Sequence, residues 1–232
     1  MQVTVAGRNL GLTIAAIAAA WGFSSLGYFR LEPFLGAEVG YNDAPAAFAI
    51  YYSVWSVAVF LVFRKTFQSG ADLTPQPLRI AGVAGLALAF AAFAWLVVPR
   101  LPQTEWTQTV SPVEFFWATS WYFLPKSVEI LFQQLLIAAL VLALRDTGLR
   151  LRKIALVVAL LFGAFHLTLA LSYPNPLYVV RYSVAAAIFG LIVPYLLLLR
   201  RHGFLISYAI HWAYYALDIT IIRFVFAVPS GA

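Results

Sequence analysis

The chain has no cysteine among its 232 residues, so disulfide frameworks, cysteine-held zinc, iron–sulfur clusters and thiol nucleophiles are excluded by inventory. Charge is nearly as scarce: Asp, Glu, Lys and Arg make up 10% of the residues, where soluble domains carry about 25%. GxSxG, HExxH and a glycine-rich phosphate loop are all missing, which removes the motifs of serine hydrolases, zincins and nucleotide binders. Neither an internal repeat nor a linker breaks the chain, so residues 1–232 read as a single integral membrane domain. Without an inverted repeat, a small-solute transporter is a weak reading.

What is present is apolar surface. Hydrophobic residues make up 63% of the chain, and the mean hydropathy is +0.87. Runs of about 20 apolar residues suffice to cross a bilayer, and the fold class that follows is all-α, a polytopic transmembrane helical bundle of seven to eight membrane segments. Spans are expected at 10–29, 45–64, 80–98, 127–144, 154–172, 178–199 and 204–227. The first run follows a single basic residue, Arg8, and lacks a small-residue cleavage site, which favours a retained helix over a signal peptide.

The formal charge of +6 does not indicate nucleic acid as a partner, because the cations sit in short breaks beside apolar runs. Net-positive regions surround Arg8, Arg64 to Arg79, Arg145 to Lys153, and Arg200 with Arg201; Arg30 to Asp43 is net negative. Placing all four basic regions in the cytoplasm puts the N-terminus inside and leaves one crossing between residues 101 and 144. The aromatic stretch 113–124, with Trp117, Trp121 and Tyr122, then lies in the outer interface or re-enters, ended by Pro125. An eight-span arrangement would put one basic loop on the wrong side.

Three apolar runs keep polar side chains that are costly at membrane depth: Glu129, His166 and His211. At 1.5 Å of rise per residue, in a core about 30 Å thick, Glu129 lies about 5 Å from the outer boundary, His166 about 10 Å and His211 about 15 Å. Tyr215, at about 9 Å, and Asp218, at about 5 Å, share that leaflet, as do Arg181 and Arg223. His211, Tyr215 and Asp218 follow i, i+4, i+7 spacing on one face; Glu129 and Gln133, and Phe162 and His166, pair in the same way. A carboxylate and two imidazoles so placed can activate water and stabilise an oxyanion, or ligate a divalent metal such as zinc as His2Glu with one open position. The alternative is packing: polar residues in bundles often only hydrogen-bond across helices, with Glu129 paired to Arg181 and Asp218 to Arg223. His202, beside Arg200 and Arg201, reads as a solvated turn residue.

Val128–Glu129–Ile130–Leu131–Phe132–Gln133, then Phe162–Gly163–Ala164–Phe165–His166, then His211 followed by Tyr215 resemble, in order, the EExxxR, FxxxH and HxxxN/D motifs of the CPBP family of intramembrane proteases, which includes CAAX prenyl endopeptidases and bacteriocin-related immunity proteins. The resemblance covers about residues 120–225. It implies an endopeptidase that cleaves a membrane-embedded or membrane-presented peptide, in a bacterial cytoplasmic (inner) membrane. Glu129 would be the base, His166 and His211 would orient water and hold the oxyanion, and Gln133, Phe162, Tyr215 and Asp218 would assist. The chain departs from the family at Val128, where the first Glu belongs, at Gln133, where the Arg belongs, and at Tyr215, where Asn or Asp belongs. These departures suit equally a catalytically inactive relative that serves as an immunity or scaffolding factor.

Overall fold

The structure is a computed structural model that describes residues 2–36, 40–69, 77–104, 114–171 and 175–226. Among the described residues there are eight α-helices and no strand: α1 (Gln2–Phe34), α2 (Pro45–Val62), α3 (Arg64–Ser69), α4 (Pro77–Ala92), α5 (Phe123–Asp146), α6 (Leu151–His166), α7 (Pro176–Leu199) and α8 (Gly203–Val225). Seven stretches are long and apolar enough to cross a membrane: Leu10–Phe34, Pro45–Val62, Ala81–Arg100, Ser120–Asp146, Leu151–Leu171, Pro176–Leu199 and Gly203–Val225. The third outlasts α4 because the chain continues through a π-helical segment, Phe93–Val97, and a 3-10 turn, Val98–Arg100.

The stretch 113–124 forms no separate helix where it is described. Two 3-10 turns, Glu114–Trp117 and Ser120–Tyr122, lead straight into α5; residue 113 and most of the preceding loop lie outside the described residues. Pro125 does not end this stretch, as expected above, but sits inside the first turn of α5. The first-turn N–H groups of a helix have no intrahelical acceptor, so proline loses nothing there.

Helix ends follow their local chemistry. α7 starts at Pro176 behind Asn175, whose Oδ1 accepts from the backbone N–H of Leu177 at 3.1 Å and of Tyr178 at 3.4 Å. Past the end of α5 at Asp146, Gly148 takes the left-handed conformation with a φ of 78°, and its N–H donates to Arg145 O at 2.9 Å.

α5 is the axis of the bundle. Its span is 67% buried, against 6% for the α1 span, and no residue from Pro125 to Arg145 is exposed. On one side Phe132, Leu136 and Ala139 pack into the cluster that holds Phe48, Tyr52 and Val59 of α2. On the other, Ile137, Val141 and Leu144 meet Ile154, Val158 and Phe162 of α6 and Val193 of α7. α6 and α7 approach most closely through glycine. A Cβ on Gly190 would lie 2.6 Å from Ala159 Cα, and one on Gly163 would lie 2.9 Å from Ala187 Cβ. Small residues at such crossings let two membrane helices gain van der Waals contact where lipid offers no hydrophobic driving force.

Candidate functional site

The polar cluster begins in the first turns of α5. Lys126, Glu129 and Gln133 are spaced i, i+3, i+7 and so share one face. Glu129 Oε2 accepts from Lys126 Nζ at 2.7 Å and from the Tyr41 hydroxyl at 2.9 Å, and its Oε1 accepts from Gln133 Nε2 at 2.8 Å. The ion pair is largely enclosed, with side-chain exposures of 10% for Lys126 and 14% for Glu129. Lys126 Nζ also faces three rings, at 4.2 Å from the centre of Tyr215, 5.6 Å from Tyr41 and 5.9 Å from Tyr122. Such an aromatic cage favours an ammonium through the ring quadrupoles.

His166 closes α6. Its Nδ1 stands 2.8 Å from Phe162 O; a carbonyl only accepts, so Nδ1 carries a proton, and in the neutral ring Nε2 is the nitrogen with the lone pair. The ring packs edge-on against Phe162 at 4.6 Å and Trp21 at 5.7 Å. His211, in α8, lies 5.0 Å from Phe189, 5.7 Å from Tyr215 and 6.2 Å from Phe162, centre to centre. Its Nδ1 is buried without a hydrogen-bond partner among the described residues. Phe162 is therefore the wedge that both imidazoles touch.

The structure gathers Glu129, Gln133, Phe162, His166, His211 and Tyr215 into one cluster built from α5, α6 and α8. Tyr215 links the two halves, with Lys126 Nζ 4.2 Å from the centre of its ring on one side and the His211 ring 5.7 Å away on the other. Contact is indirect, since no hydrogen bond joins Glu129 to either imidazole among the described residues. The His2Glu zinc alternative does not fit this arrangement. No group of three His, Cys, Asp or Glu among the described residues converges as a ligand set, and the Glu129 carboxylate already accepts from three donors.

Asp218 belongs to a neighbouring network. Its carboxylate pairs with Arg181 Nη1 at 2.7 Å and accepts from the Tyr182 hydroxyl at 2.6 Å, tying α8 to α7. Both pairings anticipated from sequence are thus replaced. Glu129 takes Lys126, three residues away on its own helix, in place of Arg181. Asp218 takes Arg181 in place of Arg223, which donates instead to Ala118 O at 2.8 Å and Pro102 O at 3.4 Å. Replacing Asp218 with Ala leaves the buried Tyr182 hydroxyl without this acceptor and removes the cross-helix tie, so stability should fall by about 1–3 kcal/mol. The midpoint of SDS-induced unfolding measures this; an unchanged midpoint would mean that the tie is idle.

Sequence reasoning passed over Lys126 and Tyr41. Lys126 carried a signal, the i, i+3 spacing to Glu129. Tyr41 carried none, because its contact spans 88 residues of sequence.

Two cavities among the described residues bear on the bundle. One of about 80 Å³ between α1, α5 and α6 is lined in part by Trp21 and Phe162, the two rings packed on His166. The larger, about 550 Å³, lies between α4, α5 and α8 and touches none of Glu129, His166, His211 or Tyr215. Comparison with protein-family models, with curated proteins and with solved structures found no match to the chain.

Proposed function

We propose that the chain is an intramembrane endopeptidase similar to the CPBP family, acting on a membrane-embedded or membrane-presented peptide. The observation that carries the reading is the shared contact of two buried imidazoles on Phe162, joined through the Tyr215 ring to the Glu129–Lys126 pair. The roles differ from those expected of the motif. Glu129 is engaged by three donors, so the base is His166, whose Nε2 takes a proton from water as the oxygen attacks the scissile carbonyl. The Glu129 carboxylate favours the imidazolium that results, and that proton then passes to the leaving amine. His211 donates to the oxyanion, and Tyr215 holds the His211 ring in place by parallel packing. The excess of Arg and Lys in the α5–α6 and α7–α8 turns supports a cytoplasmic N-terminus, and the family resemblance supports a bacterial inner membrane.

The test is cleavage of an identified membrane peptide by the purified chain. His166→Ala and His211→Ala should each lower the rate by about 100-fold or more, and Glu129→Gln by less, with unfolding midpoints checked in parallel. Full activity in both histidine variants would exclude this chemistry.

One observation favours a second reading. Val128 stands where the family's water-activating acid belongs, and Glu129 is held by Lys126, Tyr41 and Gln133 within the bundle. Both suit a non-catalytic, partner-binding immunity or scaffolding factor. In that case the three substitutions leave partner capture and phenotype unchanged.

A further inference from the structure

The larger cavity is a groove rather than a chamber. α4 and its π-helical continuation lean across the first turns of α5 and α8, and the groove they form is walled by Val83, Phe90 and Trp95 on one side and by Leu124, Leu131 and Leu205 on the other. Val83, Trp95 and Leu124 are exposed, so it opens sideways, toward the lipid that surrounds a membrane bundle. The polar groups near its floor are turned inward to one another. The Tyr208 hydroxyl donates to Ser127 O, and Trp212 Nε1 to Ser127 Oγ, both at 2.9 Å.

The two ends differ in chemistry. His202 lines the end at the α7–α8 turn, directly after the exposed Arg200 and Arg201. The other end carries Trp95 and Trp121, packed edge-to-face at 4.8 Å.

The chemistry of the walls and ends selects the occupant. The groove is apolar along its walls, and Val83 to Trp95 spans about 18 Å at helical rise, a length that an extended acyl chain can follow. Arg200 and Arg201, exposed and next in sequence to the lining residue His202, match a phosphate at the head of that chain. We propose that this groove binds an anionic phospholipid, with one acyl chain between α4 and α8 and the phosphate at Arg200, Arg201 and His202. This site uses none of the histidine chemistry above, so its failure would leave the proposed function standing.

The probe is fluorescently labelled phosphatidylglycerol, titrated into the purified full chain in detergent, with phosphatidylcholine of the same chains as the neutral arm. Phosphatidylglycerol should bind at least tenfold more tightly. Replacing Arg200, Arg201 and His202 together with Ala should abolish that preference while leaving phosphatidylcholine binding unchanged. Ala91→Trp, which fills the groove, should weaken both lipids at least tenfold; Ala87→Leu fills it more gently and serves if the tryptophan variant does not fold. Equal binding of the two lipids by the natural chain, wild-type binding by a folded groove-filled variant, or displacement of the lipid by millimolar inorganic phosphate would each overturn the assignment.

Discussion

Lys126→Met is expected to lower the stability of the bundle by about 3–5 kcal/mol, the cost typical of removing one partner from a buried ion pair. The side chains are close in size, so little of that loss comes from packing. What changes is the environment of Glu129. With its ammonium at 2.7 Å gone, a carboxylate that is 14% exposed keeps only the Tyr41 hydroxyl and the Gln133 amide as donors. Glu129→Gln should cost less, because Lys126 retains the faces of Tyr41, Tyr122 and Tyr215. The double variant Lys126→Met/Glu129→Gln should recover most of the loss, since it leaves no buried charge, and the resulting double-mutant cycle isolates the pair. SDS-unfolding midpoints of the four proteins supply the measurement. A loss below about 1 kcal/mol in Lys126→Met would show that water reaches the pair freely.

The second large effect lies at the α6–α7 crossing. Gly190→Leu should prevent the two helices from closing, and the protein should not be recovered folded. The atoms that a new Cβ would strike are backbone, Ala159 Cα at 2.6 Å and Ala159 N at 2.9 Å, so no rotamer change relieves the clash. Gly190→Ala should destabilise by about 1–3 kcal/mol, as overpacking usually does. Gly163→Ala meets a methyl and a carbonyl oxygen, at 2.9 and 3.2 Å, and should do less damage. Gly85→Ala is the control. Nothing lies within 4 Å of a Cβ there, in the interior of α4, so it should be neutral or stabilise by up to about 1 kcal/mol. Equal unfolding midpoints for Gly190→Ala and Gly85→Ala would refute close packing at this crossing.

The helices were readable because a bilayer forces backbone polar groups to be satisfied within each segment, which makes hydropathy length a direct signal. The seven expected spans correspond to the seven apolar helical stretches, and the differences fall at the ends, where α1 runs on to Phe34 and α5 begins at Phe123. Faces were readable too: Glu129 with Gln133, and His211 with Tyr215, meet as helical spacing requires. Partners across helices were not. Arg181 and Arg223 are both basic residues within spans, and nothing in the sequence says which one Asp218 takes; that depends on how α7 and α8 rotate against each other. Tyr41 reaches Glu129 from a short 3-10 turn before α2, a position set by packing of Tyr41 against Tyr28 and Phe48 and invisible to any local pattern.

The enclosure of α5 bears on how this protein tolerates change over generations. Helices such as α1 and α4 each present a flank where one greasy side chain is as good as another, and a saturation scan should reveal a permissive stripe along them. α5 has no such flank between Pro125 and Arg145, so the same scan should find it intolerant at nearly every register. Its neighbours can drift; α5 can change only when a facing residue changes with it.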